Sequence, residues 1–184
     1  MKKHKIAVLV GSLRKESFNL KIAKALEILA PESISFEFIT IGDLPFFNQD
    51  LEATPAPEWV RFRKEIQAAD GLLFVTPEYN RSVPAVLKNA IDVGSRPYGE
   101  NSFNAKPGAV VSVSPGNISG FGANHHLRQS LAFLNIPTMA QPEAYIGGVA
   151  EMFDEKGNLT NDSTKKFLTS FMEAFGKWVE IHVK

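Results

Sequence analysis

Three short apolar runs set the terms for what this chain can become. Ile6–Val10 reads IAVLV, Leu72–Val75 reads LLFV, and Ala109–Val113 reads AVVSV. A strand apolar at nearly every position is buried on both faces, the condition of a central strand in a parallel sheet covered by helices. The segments between the runs carry apolar residues at helical spacing. Phe18, Ile22, Ala25, Leu26 and Leu29 follow the first run, and Pro31 stops that helix. A Pro-rich loop from Asp43 to Pro57 leads to a helix with Trp59, Phe62 and Ile66, and Val86, Leu87, Ala90 and Ile91 give a short third helix. Ile34, Phe36 and Phe38 alternate with Ser35 and Glu37, which predicts a strand with one face more exposed. His126 to Leu134 reads as a helix, and a fifth strand is expected between Thr138 and Ile146. The last helix begins at Asn161 or Asp162, both good caps. Its face of Phe167, Phe171, Phe175 and Trp178 reads as core or subunit contact rather than a cofactor box. Strands alternating with helices imply βαβ units: an α/β, three-layer, doubly wound domain with a five-stranded parallel sheet.

Composition closes off other classes. The 184 residues suit one domain, residues 1–184, with a radius of gyration of about 16 Å. No cysteine means no disulfide scaffold, no thiolate nucleophile and no CxxC redox pair. Twenty basic residues balance twenty acidic ones, which argues against a general nucleic-acid binder. The run Ile6–Val10 is too short for a signal-peptide core, and no stretch approaches a membrane span, so no membrane partner and a cytoplasmic home are expected. Lys2, Lys3 and Lys5 read as a solvated tail.

In a doubly wound sheet, ligands sit beyond the carboxyl ends of the strands, at the switch point. The loops after strands one, three and four are therefore the places to look. The first runs Gly11-Ser12-Leu13-Arg14-Lys15-Glu16-Ser17-Phe18-Asn19 into a helix. A helix start offers free backbone N–H groups and the positive end of the dipole. Ser12, Ser17 and Asn19 add hydroxyl and amide donors, and Arg14 adds a fork suited to phosphate. The glycines of the dinucleotide and Walker fingerprints are absent, so a phosphate monoester held by side chains fits better than a pyrophosphate. The competing reading makes Ser17 a plain N-cap and Arg14 a solvated loop residue.

The loop after strand three, Pro77-Glu78-Tyr79-Asn80-Arg81-Ser82-Val83-Pro84, is stiffened by a proline at each end. A stiff loop at the sheet edge can offer backbone polar groups to the rim of a planar heterocycle, and Tyr79 can pack on a ring. Read alone, it is equally a Pro-bracketed turn with a locally packed tyrosine.

Taken together, Gly11 to Asn19 and Pro77 to Asp92 (PEYNRSVPAVLKNAID) resemble the NADPH-dependent FMN reductase family, in particular its bacterial quinone and chromate reductases. The likeness continues through Ser95-Arg96, Lys106-Pro107, His126-Leu127-Arg128-Gln129 and Pro142-Glu143 to Gly147-Gly148. It implies a flavodoxin-like sheet in order 2-1-3-4-5. It implies FMN with its phosphate at Ser12, Arg14, Ser17, Phe18 and Asn19, and its isoalloxazine ring lined by Pro77, Glu78, Tyr79 and Asn80. Ser114 and Gly116 would approach the ring's other edge, with backbone donors toward N1.

The activity implied is hydride transfer from NADPH or NADH through FMN to a small-molecule acceptor such as a quinone, chromate or an azo compound. Tyr79 shapes the stacking site, Arg81 and Arg96 are candidates to meet the 2′-phosphate of NADPH or an anionic acceptor, and no side chain is an obligatory acid or base. The alternatives are a reductase that releases reduced FMN and a flavodoxin-type carrier. The resemblance also implies a homo-oligomer, dimer or tetramer. The sequence departs from that branch at Gly122 and His125, where the branch carries Arg and Tyr, and at Val93-Gly94, where it carries a bulky aromatic. No metal is expected: His125 and His126 point apart on a helix, and Gln129 and Ser130 stand at their i+4 positions.

Overall fold

The computed structural model describes residues 3–183 of the chain; Lys2 of the expected basic tail lies outside them. Five strands, β1 (His4–Val10), β2 (Ile34–Phe38), β3 (Gly71–Thr76), β4 (Gly108–Val113) and β5 (Ala144–Ile146), form one sheet in the order β2-β1-β3-β4-β5. Every neighbouring pair is parallel. The helices are α1 (Phe18–Leu29), α2 (Pro57–Gln67), α3 (Ala85–Gly94), α4 (Phe121–Phe133) and α5 (Asp162–His182). This is the flavodoxin-like arrangement expected from the sequence.

Strand alternation divides the core in two. Ala7, Leu9, Leu72, Phe74 and Val110 face α2, α3 and α4, where Trp59, Phe62, Ile66, Leu87, Ile91, Leu127 and Leu131 cover them. Ile6, Val8, Leu73, Val75, Ala109 and Val111 face α1 and α5, under Ile22, Leu26, Leu168, Phe171, Met172, Phe175 and Val179. Each layer buries its own face of the sheet, which is why the central strands need apolar residues at both parities. The aromatic face of α5 is core: Phe171 and Phe175 are fully buried, and Trp178 donates its indole N–H to the Pro137 carbonyl at 2.8 Å.

Three boundaries differ from the sequence reading. β1 starts at His4, so Lys5 belongs to the strand and pairs with Glu37 instead of lying in a tail. α4 starts at Phe121, five residues before the expected His126. Gly122 and Asn124 look like loop residues, but Glu78 accepts the Ala123 N–H and Asn124 is fully buried, so tertiary contacts outweigh propensity there. The fifth strand is only Ala144–Ile146; Thr138 makes an isolated bridge to Gly108, and Pro142 interrupts the stretch between. At Val93-Gly94, the space is taken by Phe103, whose ring meets Phe62 edge-on at 6.3 Å.

Candidate functional site

Strand register brings the three loops to one edge. Val10 pairs with Val75 and Thr76 with Ser112, so β1, β3 and β4 end nearly level and the chain leaves at Gly11, Pro77 and Ser114. The Gly11 N–H donates to the Val75 carbonyl at 2.8 Å, carrying the ladder one residue past β1. A Cβ at Gly11 would stand 3.1 Å from both Pro77 Cδ and Pro84 Cγ, so a side chain there would push the second loop back by a few tenths of an ångström.

In the first loop, Ser17 Oγ accepts the Leu20 N–H at 3.2 Å and caps α1. The N-cap reading of Ser17 is thus correct for its lone pair, while its hydroxyl proton remains to donate. Asn19 is buried, and its Oδ1 has no partner in the protein. A buried acceptor left unpaired costs free energy, which a hydroxyl or N–H donor of a ligand can return but a phosphate oxygen, itself an acceptor, cannot. Arg14 is exposed and has no carboxylate partner among the described residues; its guanidinium lies 6.0 Å from the Phe18 ring centroid.

The second loop is a tight hairpin. Tyr79 and Ser82 exchange backbone hydrogen bonds at 3.1 and 2.9 Å, and Asn80 and Arg81 between them have φ of +52° and +64°. Two positive φ values in a two-residue connection define a type I′ turn, ordinarily built with glycine. Tyr79 is half exposed and available for stacking. The Glu78 carboxylate faces α4 and Arg81: Oε2 accepts the Ala123 N–H at 3.1 Å, and Oε1 accepts from Arg81 at 2.8 Å. Burial would raise this carboxyl group, but the Ala123 N–H, Arg81 and the Gly122 N–H outweigh it and hold Glu78 below the usual carboxylate range.

In the third loop, neither expected backbone donor is free. The Ser114 N–H donates to Ile146 O at 2.9 Å in the sheet, and the Gly116 N–H donates to Ser114 Oγ at 3.0 Å. Pro115 has no N–H, so Asn117 supplies the next amide in the loop.

Two clefts open at this edge. One, of about 220 Å³, is lined by Ser12, Arg14, Phe18, Asn19, Pro77, Glu78, Tyr79 and Ser114, with Val113 and Pro115. The other, of about 340 Å³, lies between Gly11, Leu13, Arg14, Tyr79 and Pro84–Val86. They meet at Arg14 and Tyr79, and their size suits a small-molecule site of roughly 300–1,000 Å³. Sequence reasoning missed Leu13, Val113 and Pro115, which carry no polar signal. A larger groove of about 650 Å³ runs from Ser82 and Val83 of the second loop along α3 and α4, lined by Ile91, Phe133 and Leu134 among others.

The other candidates are engaged elsewhere. Arg96 forms a two-pronged ion pair with Glu52 at 2.6 and 3.2 Å, its guanidinium 5.4 Å from the Phe47 ring centroid. His126 Nδ1 meets Ser82 Oγ at 3.0 Å, and His125 Nε2 meets the Tyr145 hydroxyl at 3.0 Å.

Comparison with known proteins gives the family. The sequence model of the NADPH-dependent FMN reductase family matches residues 4–151. The chain belongs to that family. Among relatives of this FMN reductase family member is a quinone reductase of Pseudomonas putida, 59% identical over 180 residues, 97% of this chain and 96% of the relative. A 2-hydroxy-1,4-benzoquinone reductase of a Burkholderia species is 49% identical across 95% of this chain and 96% of its own. Among solved structures, the flavoenzyme NAD(P)H:(acceptor) oxidoreductase FerB of Paracoccus denitrificans superposes with a TM-score of 0.92. It is 44% identical, over 97% of this chain and 98% of FerB.

Proposed function

We propose that the chain is an FMN-dependent NAD(P)H:quinone oxidoreductase with its flavin across the two clefts at the carboxyl edge of the sheet. Family membership and the quinone reductase relatives support the activity and the cofactors. The observation that carries the siting is the convergence of Arg14, an uncommitted cation among the described residues, with the N-terminus of α1 in one cleft.

The residues fit the group. Arg14, the Ser12 and Ser17 hydroxyls and the free N–H groups of the first turn of α1 would bind the phosphate. Phe18 backs this end and stacks against Arg14. Pro77, Glu78 and Tyr79, continued by Asn80, would form one rim of the ring, and Ser114 and Pro115, continued by Gly116, the other; of these, Pro77, Glu78, Tyr79, Ser114 and Pro115 line the cleft. Bound there, FMN would supply the redox chemistry between NAD(P)H and the acceptor. The chain's own part is placement: Tyr79 offers an aromatic surface beside the ring, where the nicotinamide and then the acceptor would bind in turn. Arg81, two residues past Tyr79 and 69% exposed at its side chain, is paired with Glu78 and would have to leave that pair to meet an anionic ligand.

We further read the α3–α4 groove as the contact between copies in a homodimer. Phe133 is 88% exposed beside it, and Lys88 and Asp92 on α3 present both charges to a rotated copy. No helix among the described residues is long and apolar enough to cross a membrane. NAD(P)H is a reductant of the cell interior, and we place the chain in the cytoplasm on that ground.

The test is anaerobic. Purified protein carrying about one FMN per chain, mixed with NADPH or NADH, should lose its visible flavin absorbance and regain it on adding a quinone. Protein without flavin, or flavin that does not bleach, overturns the reading. Light scattering should give a dimer or larger, and Phe133→Glu should shift it toward monomer; a monomeric parent overturns the assembly.

A further inference from the structure

Glu78 is better placed to fix the second loop than to touch a ligand. Its side chain is only 10% exposed, and both carboxylate oxygens are taken, one by the Ala123 N–H of α4 and one by Arg81 across the turn. The turn it faces is held in an unfavourable form. Asn80 and Arg81 both have positive φ, and an arginine in that region costs free energy that a glycine would not. Two more contacts fasten the same turn to the same helix. A Cβ on Gly122 would stand 2.8 Å from the Arg81 carbonyl oxygen and 3.0 Å from Glu78 Oε2, so backbone lies directly on backbone there. One turn further along α4, His126 Nδ1 meets Ser82 Oγ at 3.0 Å.

We propose that Glu78 is a positioning residue: its carboxylate clamps the Tyr79–Ser82 hairpin onto the first turn of α4, and through the backbone it fixes where Pro77 to Asn80 present their rim to the cofactor. The strained turn persists because the clamp over-determines it. Gly122 is the other half of the device, since any side chain there would lift the hairpin from the helix. The role in the cofactor site rests on the flavin reading above; the clamp itself does not.

Two substitutions on different elements test it. Glu78→Gln keeps the shape, removes the charge and turns an amide toward Arg81. Gly122→Ala leaves every charge in place and pushes the hairpin from below; Gly→Ala in a helix otherwise favours folding. In the flavin-free protein, amide hydrogen exchange at Tyr79 and Ser82 should quicken about tenfold in both variants, the loss of one charge-assisted hydrogen bond, with β1 and β4 unchanged. In the FMN-loaded protein, both should weaken FMN binding about tenfold and alter the visible circular dichroism of the flavin at saturating FMN. A contribution to overall stability alone would leave that spectrum as it is.

Unchanged exchange at Tyr79 and Ser82 in both variants overturns the clamp. Faster exchange with unchanged flavin dichroism and affinity overturns the positioning role. If the parent holds no FMN, the flavin reading falls, and exchange alone decides the clamp. Should one variant fail to fold, the other carries the same measurements.

Discussion

Gly11 and Pro77 touch: a Cβ on Gly11 would stand 3.1 Å from Pro77 Cδ, with Pro84 Cγ at 3.1 Å and Leu87 Cδ2 at 3.2 Å around it. This contact joins the loop assigned to the phosphate with the loop assigned to the ring. Gly11→Ala therefore overpacks a junction whose neighbours include two rigid rings. The expected cost is about 1–3 kcal/mol, or about 2–4 °C of melting temperature per kcal/mol. FMN affinity should fall with it, because the loops move apart where the cofactor bridges them. Thermal unfolding and quenching of FMN fluorescence check this. Unchanged values in both would mean that the two loops are not mechanically joined.

Arg14 is exposed and contributes no ion pair among the described residues, so its removal should hardly touch the fold. Arg14→Ala should shift stability by no more than about 0.5 kcal/mol. Loss of a charged phosphate contact should weaken FMN by about 1.5–3 kcal/mol, roughly 10- to 150-fold. Riboflavin lacks the phosphate and serves as the control: its weaker binding should be the same in parent and variant. Equal losses for FMN and riboflavin would place Arg14 at the ring instead.

Much of this was legible in the sequence because the strongest signals were local. The apolar runs fixed β1, β3 and β4, and the carboxyl-edge rule then selected the loops that converge on the clefts. What stayed hidden depends on partners distant in the chain. The start of α4 is set by Glu78, 45 residues away from Ala123. The donors of Ser114 and Gly116 looked available, but the sheet takes one and a side-chain hydroxyl takes the other. Asn80 and Arg81 gave no glycine signal for a type I′ turn, since the conformation is imposed by contacts with α4. Arg96 carried the same chemistry as Arg14 on paper, and only its distance from Glu52 separates them.

Arg96 tests that distinction. One edge and one face of its guanidinium are committed: Nε and one terminal nitrogen hold the two oxygens of Glu52, and the plane lies over Phe47. The mutual hydrogen bond holds Glu52 below and Arg96 above their ordinary ranges. Arg96→Ala should therefore leave the ratio of kcat/KM for NADPH over NADH unchanged while loosening the 45–52 loop. Steady-state kinetics with both nucleotides, and proteolysis of that loop, check the two halves. A fall in the ratio would assign Arg96 to the 2′-phosphate despite its ion pair.

Tyr145 gives a prediction in alkali. Its hydroxyl meets His125 Nε2 at 3.0 Å, and its ring lies 5.5 Å from that of Phe121. Burial, and then the Glu143 carboxylate beside it, push the phenol up to about 12. A phenol raised in the folded state binds its proton more tightly there than in the unfolded chain, whose value is about 10. Its contribution to stability is therefore complete below about pH 10 and is lost as pH rises from there through about 12. Tyr145→Phe removes that dependence, so the stability difference between parent and variant should shrink across this window. The chain has three tyrosines, and the ultraviolet phenolate signal of the parent minus that of Tyr145→Phe isolates this one. The difference should rise with a midpoint near 12. A midpoint near 10 would show that water and the His125 ring, not Glu143 and burial, govern the hydroxyl.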